Sequence, residues 1–113
     1  MIIKERKTQG VPVLVLSGKL DMFAKNAFRE AIERHTDAHA KRVIIDMRGV
    51  SFIDSAGLGA LALAVKVFQE SKGSLLVVNP QDVVKSALQN VNFSKLISMF
   101  ETNQDYTTFS ALT

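Results

Sequence analysis

Cysteine and tryptophan are absent from this 113-residue chain, and it holds only two prolines and one tyrosine. Without cysteine there is no disulfide, no thiolate nucleophile and no cysteine-type zinc site, and a reducing compartment suits such a chain. No phosphate loop of the form Gly-x-x-x-x-Gly-Lys-Ser/Thr occurs, and no dinucleotide Gly-x-Gly-x-x-Gly. Long apolar runs are missing as well. The longest, residues 58–68, is interrupted by Gly59 and Lys66 and falls short of the roughly 20 residues that cross a bilayer. The opening Met1-Ile2-Ile3-Lys4-Glu5-Arg6-Lys7 has no apolar core of the length a signal peptide needs, so the expected location is cytoplasmic. Basic residues are scattered. Only Lys4-Arg6-Lys7 and Lys41-Arg42 cluster, and no aromatics interleave with them, so the formal charge of +3 describes a solvated surface rather than a nucleic-acid face.

What remains is a folded chain. Hydrophobic residues make up 47% and charged residues 22%, which with this length suits one domain over residues 1–113. Residues 2–8 and 11–17 read as strands around a Gln9-Gly10 turn. The second strand is apolar on both faces and belongs inside a sheet, with Pro12 near its start. Gly18 ends it, and Asp21 is a candidate cap for a first helix whose apolar face is Ala24, Ala27, Phe28, Ala31 and Ile32. His35 and His39, four apart, match a zinc spacing. Their only local helper is Asp37 and no His-Glu-x-x-His occurs, so solvated histidines and no metal are expected.

Residues 43–45 form a buried β-branched run. From Leu58 onward, Leu61, Ala62, Val65 and Phe68 recur at helical spacing, and this second helix is apolar nearly all round, as a buried helix or one with an apolar patch would be. Between strand and helix lies Ile53-Asp54-Ser55-Ala56-Gly57, where either Asp54 or Ser55 could cap the helix. A further strand follows at residues 74–78. Asn79-Pro80 then opens a third helix burying Val83, Val84, Ala87, Leu88 and Val91. Residues 93–100 are apolar at Leu96, Ile97, Met99 and Phe100, with a short edge strand expected near 98–100. Asp105 is a candidate cap for a terminal helix carrying Tyr106, Phe109 and Leu112. Alternating strands and helices after an opening hairpin give an α/β class with a mixed sheet.

The segment Asp46-x-x-x-Val50-Ser51-Phe52-Ile53-Asp54-Ser55-Ala56-Gly57-Leu58-Gly59 resembles the signature of the STAS domain, shared by anti-sigma factor antagonists and the tails of sulfate transporters. Gly18-Lys19-Leu20-Asp21 resembles a second family element, and the likeness covers essentially the whole chain. It implies a four- to five-stranded sheet with helices mainly on one face. Within the family the Asp-Ser-Ala-Gly-Leu-Gly form is most similar to the single-domain bacterial antagonists. The likeness maps the regulatory phosphorylation site onto Ser55 and a partner-binding surface onto Asp21, Asp54, Ser55, Ala56, Gly57, Leu58 and Gly59. Ala56 stands where some antagonists carry a second serine.

These matches imply an anti-sigma factor antagonist that is not an enzyme. Unphosphorylated, it binds an anti-sigma factor that is also a serine kinase, and so frees a sigma factor. Phosphorylation at Ser55 inactivates it, and a metal-dependent serine phosphatase reverses that. No cofactor is expected, ATP being bound by the partner kinase, and the chain is expected to be a monomer or weak dimer. Read from patterning alone, Ser55 is a helix cap. A serine hydrolase is disfavoured, because Gly-x-Ser-x-Gly is absent and both histidines belong to the far end of the first helix. The alternatives are a STAS subunit of a transport assembly that needs no phosphorylation, and a scaffold in a signalling complex.

Overall fold

The computed structural model describes residues 1–90 and 97–112. The elements run β1 (Ile2–Thr8), β2 (Val11–Leu20), α1 (Lys25–Asp37), β3 (Arg42–Ile53), α2 (Ser55–Glu70), β4 (Ser74–Val78), α3 (Asp82–Asn90), β5 (Ser98–Thr102) and β6 (Phe109–Ala111). They build one sheet of six strands in sequence order. The strands β2, β3, β4 and β5 are mutually parallel, and an antiparallel strand closes each end: β1 beside β2, β6 beside β5.

Period-2 alternation sorts the strand residues onto two faces. Leu14, Leu16, Val43, Ile45, Met47, Leu75, Val77 and Met99 face all three helices and form the main core with Phe28, Ile32, Leu61, Phe68, Val84 and Leu88. The opposite face carries Val13, Ile44 and Val78 under Tyr106, with Val15, Leu76 and Phe100 beside them. Strands buried on both sides read as unbroken apolar runs, which is what residues 43–45 and 75–78 do. The hairpin between β1 and β2 turns at Gln9 (φ +50°) and Gly10 (φ +80°), the two positive values that a tight two-residue turn needs.

Several sequence expectations change. The sheet has six strands rather than four to five, because the chain after Asp105 pairs with β5 instead of coiling into a helix. Tyr106 stands at φ +57°, outside right-handed helical space, and its side chain is buried. The strand near Ser98 is therefore an inner strand, with β6 at the edge. Asn79 does not begin α3. At φ +55° it ends β4, accepting the Thr102 backbone N–H at 2.8 Å and donating to Thr102 Oγ1 at 2.9 Å. In α3 Val84 and Leu88 are buried, whereas Val83 is exposed; in α1 Ala27 is exposed. Val91 and Leu96 lie outside the described residues. The helical spacing of His35 and His39 is not realised, because α1 ends at Asp37 and His39 turns to φ +61°. His35 is not freely solvated either: its Nε2 lies 2.5 Å from Glu5 Oε1 on β1. Among the described residues no cluster of three or more acidic or histidine side chains could hold a metal ion, and no helix is long and apolar enough to cross a membrane.

Candidate functional site

Parallel strands place every strand-to-helix loop at the same end of the sheet, outside the carboxyl ends of the strands. The β2–α1 and β3–α2 loops, bearing Asp21 and Asp54-Ser55, are therefore neighbours. Gly18 near the end of β2 stands at φ +109°, where an L side chain is strained. The chain then turns at Asp21, whose Oδ1 accepts the N–H groups of Phe23 at 3.0 Å and Ala24 at 3.1 Å. Its carbonyl accepts from Ala24 and Lys25. Asp21 thus caps the turn that leads into α1, four residues ahead of Lys25, the first residue of the regular helix.

Asp54, not Ser55, caps α2. Its backbone is extended and its Oδ1 accepts the Gly57 N–H at 2.9 Å. The other carboxylate oxygen, Oδ2, accepts the Met22 N–H at 3.3 Å. One carboxylate therefore fixes the start of α2 and the loop before α1 together. With capping assigned to Asp54, Ser55 becomes the first helical residue, exposed, and its hydroxyl takes no hydrogen bond among the described residues. It stands where free N–H groups and the helix dipole favour negative charge.

The four residues after Ser55 do different things. Ala56 and Leu58 are half-buried and Gly59 is exposed, so they flank the hydroxyl. Gly57 is buried: a Cβ there would run into the carbonyl oxygen of Leu20. It shapes the site by letting α2 approach β2, and offers no surface of its own. Beside these residues stand two that the sequence reading passed over. Met22 is 57% exposed and Phe23 87%, large apolar side chains on a loop whose backbone is pinned by Asp21 and Asp54. The available signal was their position directly after Asp21, outside any apolar periodicity.

A second constellation lies beneath the helix-free face. Among the described residues Asp46 of β3 is the buried charged one, and its Oδ2 accepts the Tyr106 hydroxyl at 2.5 Å while its Oδ1 accepts the Arg48 N–H at 3.0 Å. Burial, followed by the hydrogen bond to Asp46 and its charge, pushes the Tyr106 hydroxyl up to about 12, against opposing pulls from Arg6 and Arg48. The pair ties the segment leading to β6 onto the sheet. The Asp46 at the head of the signature stretch is accordingly a structural anchor.

Comparison with known proteins places this geometry in context. The profile of the STAS domain matches residues 3–106. The anti-sigma-B factor antagonist of Listeria monocytogenes is 27% identical over 97 residues, covering 86% of this chain and 84% of that protein. The Bacillus cell fate determinant SpoIIAA superposes in its unphosphorylated form with a TM-score of 0.78 at 21% identity, over 92% of this chain and 90% of its own. Its phosphorylated form gives 0.73 at 20% identity, over 92% and 94%. An anti-sigma factor antagonist from Mycobacterium paratuberculosis gives 0.78 at 23% identity, over 95% and 86%. With its signature at the β3–α2 junction and its profile match across nearly the full length, the chain belongs to the STAS domain family.

Proposed function

We propose that this protein is an anti-sigma factor antagonist, a non-enzymatic partner switch controlled by phosphorylation at Ser55. The observation that carries the reading is the placement of Ser55: an exposed hydroxyl with no partner among the described residues, one residue past a cap that is already supplied. A serine kept only as a cap would hold the position that Asp54 occupies. The antagonist names of its relatives support the role, and SpoIIAA retains this fold in both forms.

The unphosphorylated face consists of Asp21, Met22, Phe23, Asp54, Ser55, Ala56, Leu58 and Gly59, shaped from below by Gly57. An anti-sigma factor that is also a serine kinase docks there, brings its own ATP, and gives up a sigma factor. Phosphate on Ser55 adds about −1.5 to −2 charge units and three strong acceptors. The dipole at the start of α2 tolerates that charge within the monomer. A partner covering the same spot meets a hydrated dianion next to the Asp54 carboxylate, and a hundredfold loss of affinity needs only about 2.7 kcal/mol. A serine phosphatase resets the surface.

The test uses wild type, Ser55→Ala and Ser55→Asp as baits for proteins of the native cytoplasm, identified by mass. Wild type and Ser55→Ala should retain an ATPase-type serine kinase that Ser55→Asp loses. Equal capture of the same transporter or scaffold proteins by all three would assign the chain to a transport assembly or a signalling scaffold and sink the switch.

A further inference from the structure

On the helix-covered side, α1 and α2 do not close against each other along their outer edges. Between them runs a groove of about 390 Å³, within the range of small-ligand sites. Its α2 wall is apolar throughout: Ala56, Gly59, Ala60, Leu63 and Val67, a helical stripe about 16 Å long at 1.5 Å per residue. Ile32 and Ala64 form its base and belong to the main core. Leu63 is 51% exposed, and a Cβ added at Gly59 meets nothing within 4 Å, so small side chains hold the groove open. The nearly all-round apolarity of α2 is thereby explained: the side turned away from the sheet faces this groove.

The opposite wall is charged and polarised. Lys25 and Arg29 of α1 stand at the end shared with Ala56, and Glu33 and Asp37 stand toward Val67. Neither helix carries an acidic residue in its first turn. The Asp21 and Asp54 carboxylates cap the chain just ahead of each helix and do not line the groove, which leaves Lys25 and Arg29 as the charged side chains lining this end. Arg29 meets Glu33 at 3.6 Å in an exposed pair, a weak tie that a ligand can replace. An anion at the first end is favoured and a second anion at the far end is opposed. We propose that this groove binds a free single-chain amphiphile, with one anionic head group at Lys25 and Arg29 and an aliphatic chain along the α2 stripe from Ala56 to Val67. The groove shares Ala56 and Gly59 with the proposed partner face at one end, but the amphiphile's contacts do not require phosphorylation of Ser55.

Decanoate, below its micelle concentration, is the probe, titrated into the full chain by calorimetry and amide-resolved NMR. Saturable binding is expected, with shifts confined to residues 25–37 and 56–67. Decyltrimethylammonium, with the same chain and the opposite charge, should bind more weakly by about tenfold or more. Gly59→Leu fills the groove and should abolish decanoate binding while the thermal melt shows a folded protein. Lys25→Glu with Arg29→Glu should weaken decanoate by about tenfold or more and remove the preference over the cation. Absence of saturable binding, shifts elsewhere, equal binding of both amphiphiles, or indifference to Gly59→Leu each overturns the proposal. So does sedimentation with phosphatidylglycerol vesicles by a chain that ignores free decanoate, which would make the groove a membrane contact.

Discussion

Gly57 and Gly59 lie two residues apart on α2, and their environments assign them opposite responses to the same methyl group. At Gly57 a Cβ collides with the Leu20 carbonyl, backbone that cannot yield without moving β2 from α2. Gly57→Ala should lower the unfolding free energy by about 2 kcal/mol or more. At Gly59 the added Cβ meets open space and a helix interior gains its best former, so Gly59→Ala should raise stability by about 0.5–1 kcal/mol. Urea unfolding of both variants checks the pair. Asp54→Ala, removing both the cap and the tie to Met22, should cost about 1–2 kcal/mol. It should also broaden the amide signals of residues 22–24, which loss of a cap on α2 alone would not do. Asp54 and Ser55 were legible as neighbours at a helix start because cap chemistry is local. Which of them caps was not legible, since both side chains are suited to it and backbone placement decides. That Gly57 is packing and Gly59 groove was illegible too, because two glycines in sequence look alike until the neighbouring strand is placed.

Among the elements, the segment from Asp105 to β6 departs most from what its sequence suggested. Tyr106, Phe109 and Leu112 recur at helical spacing, yet each is claimed by a different partner: Asp46, the edge of the Phe100 ring at a centroid distance of 5.5 Å, and the main core. Tertiary contacts to β3 and β5 override a short local period, a long-range decision that no window of this sequence contains. The inner strands and three helices were readable because their apolar periods are long and agree with their turn residues. The Tyr106–Asp46 tie has a measurable pH signature. A hydroxyl that titrates near 12 when folded and near 10 when unfolded favours the folded state fully below pH 10, and that contribution disappears as pH rises through 10 to 12. Stability should therefore fall in this window by on the order of 2 kcal/mol more than in Tyr106→Phe. The variant itself should be less stable at neutral pH by about 1–3 kcal/mol, because an oxygen of the buried Asp46 loses its donor. Chemical denaturation at pH 8, 10 and 11 separates the two effects.

At the scale of the whole molecule, the residues of the proposed partner face gather at one end of the sheet, while the core holds the rest fixed. A charge added at Ser55 should leave that core alone. Ser55→Asp should melt within a few degrees of wild type, since a carboxylate in the first turn of a helix is favoured by about 0.3–1 kcal/mol. A collapse of its melting temperature would mean that the residue supports the fold. The tight turn at Gln9-Gly10 sits at the other end, the length of β2 away, with open space around Gly10. This separation gives the protein a handle: a dye or a surface tether attached at Gln9 leaves the Ser55 face pointing outward and unobstructed. Immobilised in that single orientation, one preparation can be exposed in turn to a serine kinase and a serine phosphatase, and the loss and return of a partner that the proposed switch requires tested in real time on the same molecules.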